Sequence, residues 1–378
     1  MLQVNRLLGS GALRALAMTI LATLALLAPA GAKAQCQGRW LTSPEQVPPG
    51  LNGAVYALVN MPNGDLVVGG EFTNGGVNGL GVALRSVARW NGSSWVPLGS
   101  GMSSTVYALA VLPNGDLVAG GTFTTAGGVS ANRIARWDGS AWTPLGSGMS
   151  STVYALAVMP NGDLIAGGFF STAGGVGANR IARWDGAGWS PLGTGMNGTV
   201  NALAVLPNGD LLAGGAFSTA GAVTVNHIAQ WNGSSWAPLG SGMESSREVW
   251  ALAVMPNGDL VAGGSFSTAG GVTVNRIARW NGAAWSALGM GMNGGVTALA
   301  ALPNGDLVAG GFFTLAGGVA ANGIARWNSA SWAPLSSGVS GPGSGSVVYA
   351  LAAMPSGDIV AGGRFVTMGG RPVGHIAS

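Results

Sequence analysis

The chain of 378 residues has little cysteine and little charge. Its one cysteine, Cys36, cannot form an internal disulfide, so disulfides do not hold the fold together. Charged residues make up 8% of the sequence, and three of the sixteen basic residues, Arg6, Arg14 and Lys33, lie before residue 35. The remaining thirteen arginines balance thirteen acidic residues. This balance excludes the basic surface that nucleic-acid binding requires.

The first 34 residues have the pattern of a secretory signal peptide. A positively charged start is followed by an apolar run over 15–27 and an A-x-A cleavage site at 32–34. A proline and a glycine interrupt the apolar run before it reaches the ~20 residues of a membrane span. Lipidation of Cys36 is a less favoured alternative, because Gln35 is a poor residue before that cleavage. We expect a secreted protein, extracellular or periplasmic, whose mature chain does not insert into a membrane.

Glycine is abundant instead, at 68 residues, and lacks the three-residue period of collagen. A P-N-G-D motif, or P-S-G-D in its last copy, recurs at spacings of 47 to 52 residues. Its aspartates are Asp65, Asp116, Asp163, Asp210, Asp259, Asp306 and Asp358. Seven units of about 49 residues fall in the range of propeller blades.

Each unit has the pattern of short β-strands and no helical pattern. In the second unit, the turn signals Asn114-Gly115 and Asp138-Gly139 each separate two β-rich runs. Two hairpins give four antiparallel strands per unit. The sequence therefore predicts an all-β fold, a seven-bladed β-propeller of four-stranded antiparallel blades over residues 35–378.

The two ends of the repeat region complement each other, unlike the capped ends of a solenoid. The C-terminus stops within a third strand at 375–378, and Gly38-Arg39-Trp40 matches the missing continuation. We predict that N- and C-terminal strands pair in the last blade and close the ring, which leaves no open inner edge. We expect a monomer.

The repeat also resembles a known family. Gly120-Gly121 ends the second strand, Trp137-Asp138 ends the third, and Trp142 with Pro144-Leu145 forms the fourth. This pattern resembles the kelch repeat, with Trp137 where that family usually has tyrosine. The I-A-R-W-[DN]-G segment is also similar to repeats of Rax2-like cell-surface propellers. A WD40 repeat is not indicated, because no unit has a Gly-His step.

Two recurring residue types have a structural interpretation. Twelve of the fourteen tryptophans form six pairs, which we interpret as core between blades rather than as a sugar-binding ladder. The pairs are 90/95, 137/142, 184/189, 231/236, 280/285 and 327/332. Each P-N-G-D aspartate should also face an arginine on the third strand. The predicted ion pairs are Asp65/Arg89, Asp116/Arg136, Asp163/Arg183, Asp259/Arg279, Asp306/Arg326 and Asp358/Arg39, with a neutral Asp210/Gln230 hydrogen bond.

Two positions differ between units and therefore carry the functional hypotheses. The start of the third strand holds Arg85, Arg133, Arg180, His227, Arg276, Gly323 and His375, a broken cationic ring that could dock an anionic ligand or partner. The start of the first strand holds Tyr56, Tyr107, Tyr154, Asn201, Trp250, Thr297 and Tyr349, which suit sugars or peptides at the channel mouth. The alternatives are solubilising arginines and packing between inner strands.

Catalytic motifs are absent from the sequence. Some kelch-like propellers are copper oxidases, but His227 and His375 lie in different units and Cys36 lies near the N-terminus, so that chemistry is disfavoured. No phosphate-binding loop, nucleophile elbow or metalloprotease motif is present. We therefore predict a protein that is not an enzyme and needs no cofactor or metal. It would bind a protein or a glycan through the face with the long loops; a purely structural envelope protein is the alternative.

Overall fold

The structure, a computed structural model, describes residues 50–76, 81–244, 247–341 and 345–378. Within these ranges all regular secondary structure is β. The predicted signal peptide and the predicted closing strand around Trp40 lie outside the described residues, as does the Arg39 partner of Asp358.

Seven antiparallel sheets follow one another along the chain as blades 1 to 7, and their strands are counted from the channel outward. Blade 1 contains Val55–Asn60, Leu66–Gly70, Val87–Trp90 and Trp95–Pro97. Blade 2 contains Val106–Val111, Leu117–Gly121, Ile134–Trp137 and Trp142–Pro144. Blade 3 contains Val153–Val158, Leu164–Gly168, Ile181–Trp184 and Trp189–Pro191. Blade 4 contains Val200–Val205, Leu211–Gly215, Ile228–Trp231 and Trp236–Pro238.

The remaining blades repeat this order. Blade 5 contains Val249–Val254, Leu260–Gly264, Ile277–Trp280 and Trp285–Ala287. Blade 6 contains Val296–Ala301, Leu307–Gly311, Ile324–Trp327 and Trp332–Pro334. Blade 7 contains Val347–Ala353, Ile359–Arg364 and Ile376–Ala377, three strands within the described part of the chain. The predicted all-β seven-bladed propeller is confirmed.

A short hairpin lies between the second and third strands of each blade. These hairpins are 74–75/82–83, 125–126/129–130, 172–173/176–177, 219–220/223–224, 268–269/272–273, 315–316/319–320 and 367–368/371–372. In blade 7 the hairpin also pairs with Val339–Ser340. In blades 2 to 6 it forms a bridge to the segment arriving from the preceding blade, as Ala126 does with Met102, and in blade 1 Gly75 forms one with Leu51. We call the side with these hairpins the loop face and the side with the P-N-G-D turns the turn face.

In blades 1 to 6 the second strand is buried along its whole length, because a neighbouring blade covers each side; in blade 7 its two end residues are partly or fully exposed. The first glycine of each doublet permits this close approach. A Cβ on Gly167 would stand 2.6 Å from Val200 Cγ1 in the next blade, and the other blades repeat this contact. Glycine is therefore required where the blades touch.

The ring closes in the described residues through the same contact. Gly362 of blade 7 faces Val55 of blade 1, and the Leu51 amide donates to the Gly374 carbonyl at 2.7 Å. Val360 and Ile376 of blade 7 share a buried cluster with Val55. The first and last blades are thus direct neighbours.

The tryptophan pairs connect blades, as predicted for a structural core. Ring centroids within the six pairs lie 5.2 to 5.4 Å apart. The second tryptophan of each pair is buried, and in blades 2 to 6 its indole N–H donates to a leucine carbonyl of the preceding blade. Trp142, for example, donates to Leu98 at 2.9 Å.

The predicted cross-strand ion pairs are confirmed wherever both partners are described. They are Asp65/Arg89, Asp116/Arg136, Asp163/Arg183, Asp259/Arg279 and Asp306/Arg326. Gln230 donates instead to Asp210 at 2.6 Å, the predicted neutral hydrogen bond. The same aspartate oxygen also accepts from the asparagine two residues earlier, as in the pair Asn161/Asp163 at 2.7 Å. These side chains therefore fix the turn to the third strand.

Candidate functional site

The first strands of all seven blades surround a central cavity of about 290 Å³. Each first strand has a β-bulge where the pairing register shifts, at its second residue in blades 1 to 6 and at its third in blade 7. A bulge re-aims a side chain and often lies beside a functional site. The bulged residues are Tyr56, Tyr107, Tyr154, Asn201, Trp250, Thr297 and Tyr349, the variable set from the sequence. They form a ring at the loop-face mouth of the channel.

The four tyrosines of the chain are adjacent in this ring. Centroid distances are 4.9 Å for Tyr349/Tyr56, 5.1 Å for Tyr56/Tyr107 and 5.4 Å for Tyr107/Tyr154. Burial is the main cause that raises the pKa of Tyr56, and the neighbouring Glu71 carboxylate is the second. For Tyr107, burial is again the main cause of a raised pKa, followed by Tyr154. The rings pack against each other, as the alternative interpretation expected, while Tyr154 at the end of the arc keeps 37% of its surface exposed.

The other half of the mouth combines an aromatic pair with a carboxylate. The Trp250 ring lies 5.8 Å from that of Phe312, between centroids. Glu248 accepts from the Trp250 indole N–H at 2.9 Å and from the Asn201 amide at 3.1 Å. Gly295 lies against both rings. A Cβ added at this residue would be 2.4 Å from the nearest atom of the Phe312 ring and 2.5 Å from that of the Trp250 ring. Blades 5 and 6 thus share one aromatic platform.

The start of the third strand requires a left-handed backbone in every blade. Ser86, Arg133, Arg180, His227, Arg276, Gly323 and His375 have φ between 64° and 73°. This conformation is uncommon outside glycine and asparagine, and it accounts for Gly323 in this set. The structure corrects the position of Arg85. Ser86 makes the contacts that Arg133 makes in blade 2, and exposed Arg85 lies one residue earlier, equivalent to Asn132.

The two histidines do not extend a cationic surface. His227 is only 6% exposed, and its Nδ1 lies 3.3 Å from the Gly215 carbonyl oxygen. Burial is also the main cause that lowers the pKa of His375. The predicted ring of positive charge is therefore reduced to Arg133, Arg180 and Arg276.

The position after the glycine doublet holds residues that the sequence hypotheses omitted. It carries Glu71, Thr122, Phe169, Ala216, Ser265, Phe312 and Arg364. Phe169 and Phe312 are 53% and 48% exposed. The Arg180 guanidinium lies 4.7 Å from the Phe169 ring centroid, and its NH1 donates to the Phe170 carbonyl at 3.1 Å. In the sequence this position varies between units, whereas the residue after it is always phenylalanine. That contrast could have identified the position.

The mouth therefore offers exposed aromatic faces, guanidinium groups and carboxylates around a narrow opening. Such a surface suits recognition of a ring or an apolar side chain with polar groups at its edge. Among the described residues no group of three His, Cys, Asp or Glu side chains converges as metal ligands. In the same ranges no helix is long and apolar enough to cross a membrane.

The fold places the chain among β-propellers. Two segments, 112–137 and 256–281, match a family described as a domain of unknown function (DUF5122) beta-propeller. No curated protein matches the sequence. The family match supports the propeller and leaves the kelch-type and Rax2-like resemblances as predictions.

Solved structures agree with this fold. The extracellular domain of the proposed one component system BT4673 from B. thetaiotaomicron is 13% identical, with a TM-score of 0.59 over 88% of this chain; the chain spans 39% of that protein. The WD40 β-propeller domain of Doa1 is 16% identical, with a TM-score of 0.55 over 84% of this chain and 92% of that one. Virginiamycin B lyase from Staphylococcus aureus is 14% identical, with a TM-score of 0.51 over 80% and 90%. At these identities the likeness shows the fold alone.

Proposed function

We propose that this protein is a secreted, non-enzymatic propeller that binds a protein or a glycan at the loop-face mouth of its central channel. One observation carries the proposal. The repeats keep their core residues nearly constant from blade to blade, but they vary at the ring positions of this mouth and place exposed aromatic side chains there. The packing that repeats from blade to blade does not by itself explain why the large apolar side chains of Phe169 and Phe312 are exposed.

Blade 3 provides the strongest binding surface. Tyr154 lies in the first strand of this blade, Phe169 directly follows the second and Arg180 directly precedes the third, and all three retain exposed surface. The Arg180 guanidinium already lies over the Phe169 ring, which holds its charge at the rim of the channel. A ligand with a ring or apolar group and an anionic or hydroxyl edge would contact both.

Two features support an extracellular binding role. Both solved structures of BT4673 that resemble this chain are extracellular domains, and the signal-peptide pattern at 1–34 predicts export. At the mouth, Glu248 is already engaged by Asn201 and Trp250. The kelch-type and Rax2-like resemblances of the repeats remain part of this proposal, and the second of them is to cell-surface propellers.

The test compares a mouth variant with a turn-face control. Wild-type protein is applied to a glycan array and used in pull-downs from cell-surface extracts, which decides between the two ligand classes. The mouth variant combines Phe169→Ser with Arg180→Asn, because asparagine tolerates the left-handed backbone at 180. The control combines Ser140→Ala with Ser234→Ala, two exposed turn-face positions.

The proposal predicts that the mouth variant loses at least about tenfold in affinity for the bound glycan or protein, while the control binds like wild type. Binding that neither variant changes would reject the mouth as the binding site, and no binding to any glycan or surface protein would favour a structural envelope role. Turnover of a substrate by wild-type protein would reject the non-enzymatic assignment.

A further inference from the structure

The turn face has clefts between neighbouring blades. The cleft between blades 1 and 2 has a volume of about 330 Å³, and the one between blades 5 and 6 about 420 Å³. Equivalent residues line both: a P-N-G turn from each blade, the ion-pair arginine of the first blade and the first tryptophan of the second. These tryptophans are Trp137 and Trp327. The volumes of the two clefts lie at the small end of the range for small-molecule sites.

In blades 2 to 6 the two tryptophans of each pair differ in exposure and in hydrogen bonding. The second one is buried and donates its indole N–H to the preceding blade. Within the described part of the chain, the indole N–H of Trp137 and that of Trp327 have no hydrogen-bond partner, and neither nitrogen is fully buried. The cleft therefore holds an available donor on a flat aromatic ring.

The ion pair supplies further groups for a ligand. In the cleft between blades 5 and 6, Asp259 uses Oδ2 for Arg279 and for the Asn257 amide at 2.8 Å. Among described residues, no donor reaches its second oxygen, Oδ1, which retains solvent access. The Arg279 side chain is 46% exposed. The cleft thus combines an open acceptor and open donors with no net charge from the pair.

This chemistry selects the class of ligand. A carboxylate paired with an arginine beside the cleft leaves no net positive charge there to favour a phosphate or sulfate. A ring with several hydroxyl groups can lie on the indole face and use donors and acceptors together. We propose that the clefts between blades 1 and 2 and between blades 5 and 6 each bind one sugar ring of a neutral glycan. This surface is separate from the loop-face mouth.

The repetition of these cleft residues around the ring affects how tightly a glycan would bind. The P-N-G turns, the aspartate and the first tryptophan recur along the ring, so further junctions carry the same groups. A single cleft that holds one ring would bind weakly, with a dissociation constant of about 1 mM. Several clefts around one face would bind a polymeric glycan with much higher avidity.

The experiment follows side-chain signals by nuclear magnetic resonance. Nitrogen-15-labelled protein is titrated with maltohexaose, cellohexaose, mannohexaose and N-acetylchitohexaose. With at least one of these sugars, the Trp137 and Trp327 indole signals should shift, while those of the buried Trp142 and Trp332 stay in place. The Asn257 and Asn304 amide signals, which line the cleft between blades 5 and 6, should shift together with Trp327.

A conservative variant tests the role of the indole N–H. Trp327→Phe keeps an aromatic ring, and it should weaken sugar binding at the Asn257 and Asn304 signals by about five- to tenfold. The mouth variant Phe169→Ser with Arg180→Asn should leave these shifts unchanged, so the two proposals fail separately. If no indole signal moves with any of the sugars, or if Trp327→Phe binds as tightly as wild type, the cleft proposal is wrong.

Discussion

Trp142→Phe tests the bonding between blades. The substitution removes the indole N–H that donates to the Leu98 carbonyl at 2.9 Å and makes the buried side chain smaller. The Leu98 carbonyl still accepts from the Gly101 amide, so the lost hydrogen bond costs about 1 kcal/mol. A side chain smaller by roughly 40 Å³ leaves a cavity that costs about 1 kcal/mol more. The expected loss in the free energy of unfolding is about 2 kcal/mol.

Trp137→Phe is the matched control, because it changes the other member of the same pair. Its indole N–H has no partner among the described residues and its ring is half-buried, so we expect a loss below about 1 kcal/mol. Urea unfolding, followed by circular dichroism, measures both. With a slope of about 3 kcal/mol per molar urea, the Trp142→Phe midpoint should fall by roughly 0.7 M. Equal shifts for the two variants would refute the inter-blade hydrogen bond as a source of stability.

Three further predictions concern the ring and its mouth. Arg183→Gln should lower the free energy of unfolding, measured in urea, by less than about 1 kcal/mol. The Arg183 side chain is 47% exposed, and glutamine can donate a hydrogen bond to the aspartate as Gln230 does; a loss above about 2 kcal/mol would contradict this. Gly167→Ala should lower the free energy of unfolding by about 2 kcal/mol. A double-mutant cycle with Val200→Ala should show a coupling energy of at least about 1 kcal/mol; additive losses would contradict the close contact. Burial raises the pKa values of Tyr56 and Tyr107 above 10.0, so the native state holds these protons more tightly than the unfolded chain. Stability should therefore fall as pH rises beyond 10, and tyrosinate absorbance of native protein should lag that of unfolded protein; coincident titrations would contradict the buried arc.

The fold was predictable because each blade is a local unit with strong signals. Asn-Gly turns set the hairpins, and the repeat spacing set the number of blades. The aspartate and arginine faced each other because antiparallel pairing brings the start of the second strand to the end of the third, as with Asp163 and Arg183. Ladder geometry alone was enough to predict these contacts.

The site was less predictable because it depends on irregular backbone. In blade 1 a serine takes the place of Arg133: Ser86 lies four residues before Trp90, as Arg133 does before Trp137, so the choice of Arg85 was one residue out of register. The burial of His227 follows from the packing of its own blade, which composition does not reveal. The exposure of Phe169 contrasts with the burial of Phe170, and only the positions of the two side chains on the strand end distinguish them.

Hydrogen–deuterium exchange on the ligand-bound protein tests the central claim most directly, namely that the loop-face mouth is the binding surface. The ligand is whichever protein or glycan the array and pull-down identify. We predict protection at 152–156 and 168–171, the strand ends that carry Tyr154 and Phe169, whether or not the 160–163 turn of the same blade is also protected. Protection confined to that turn, with none at the mouth, would contradict the claim.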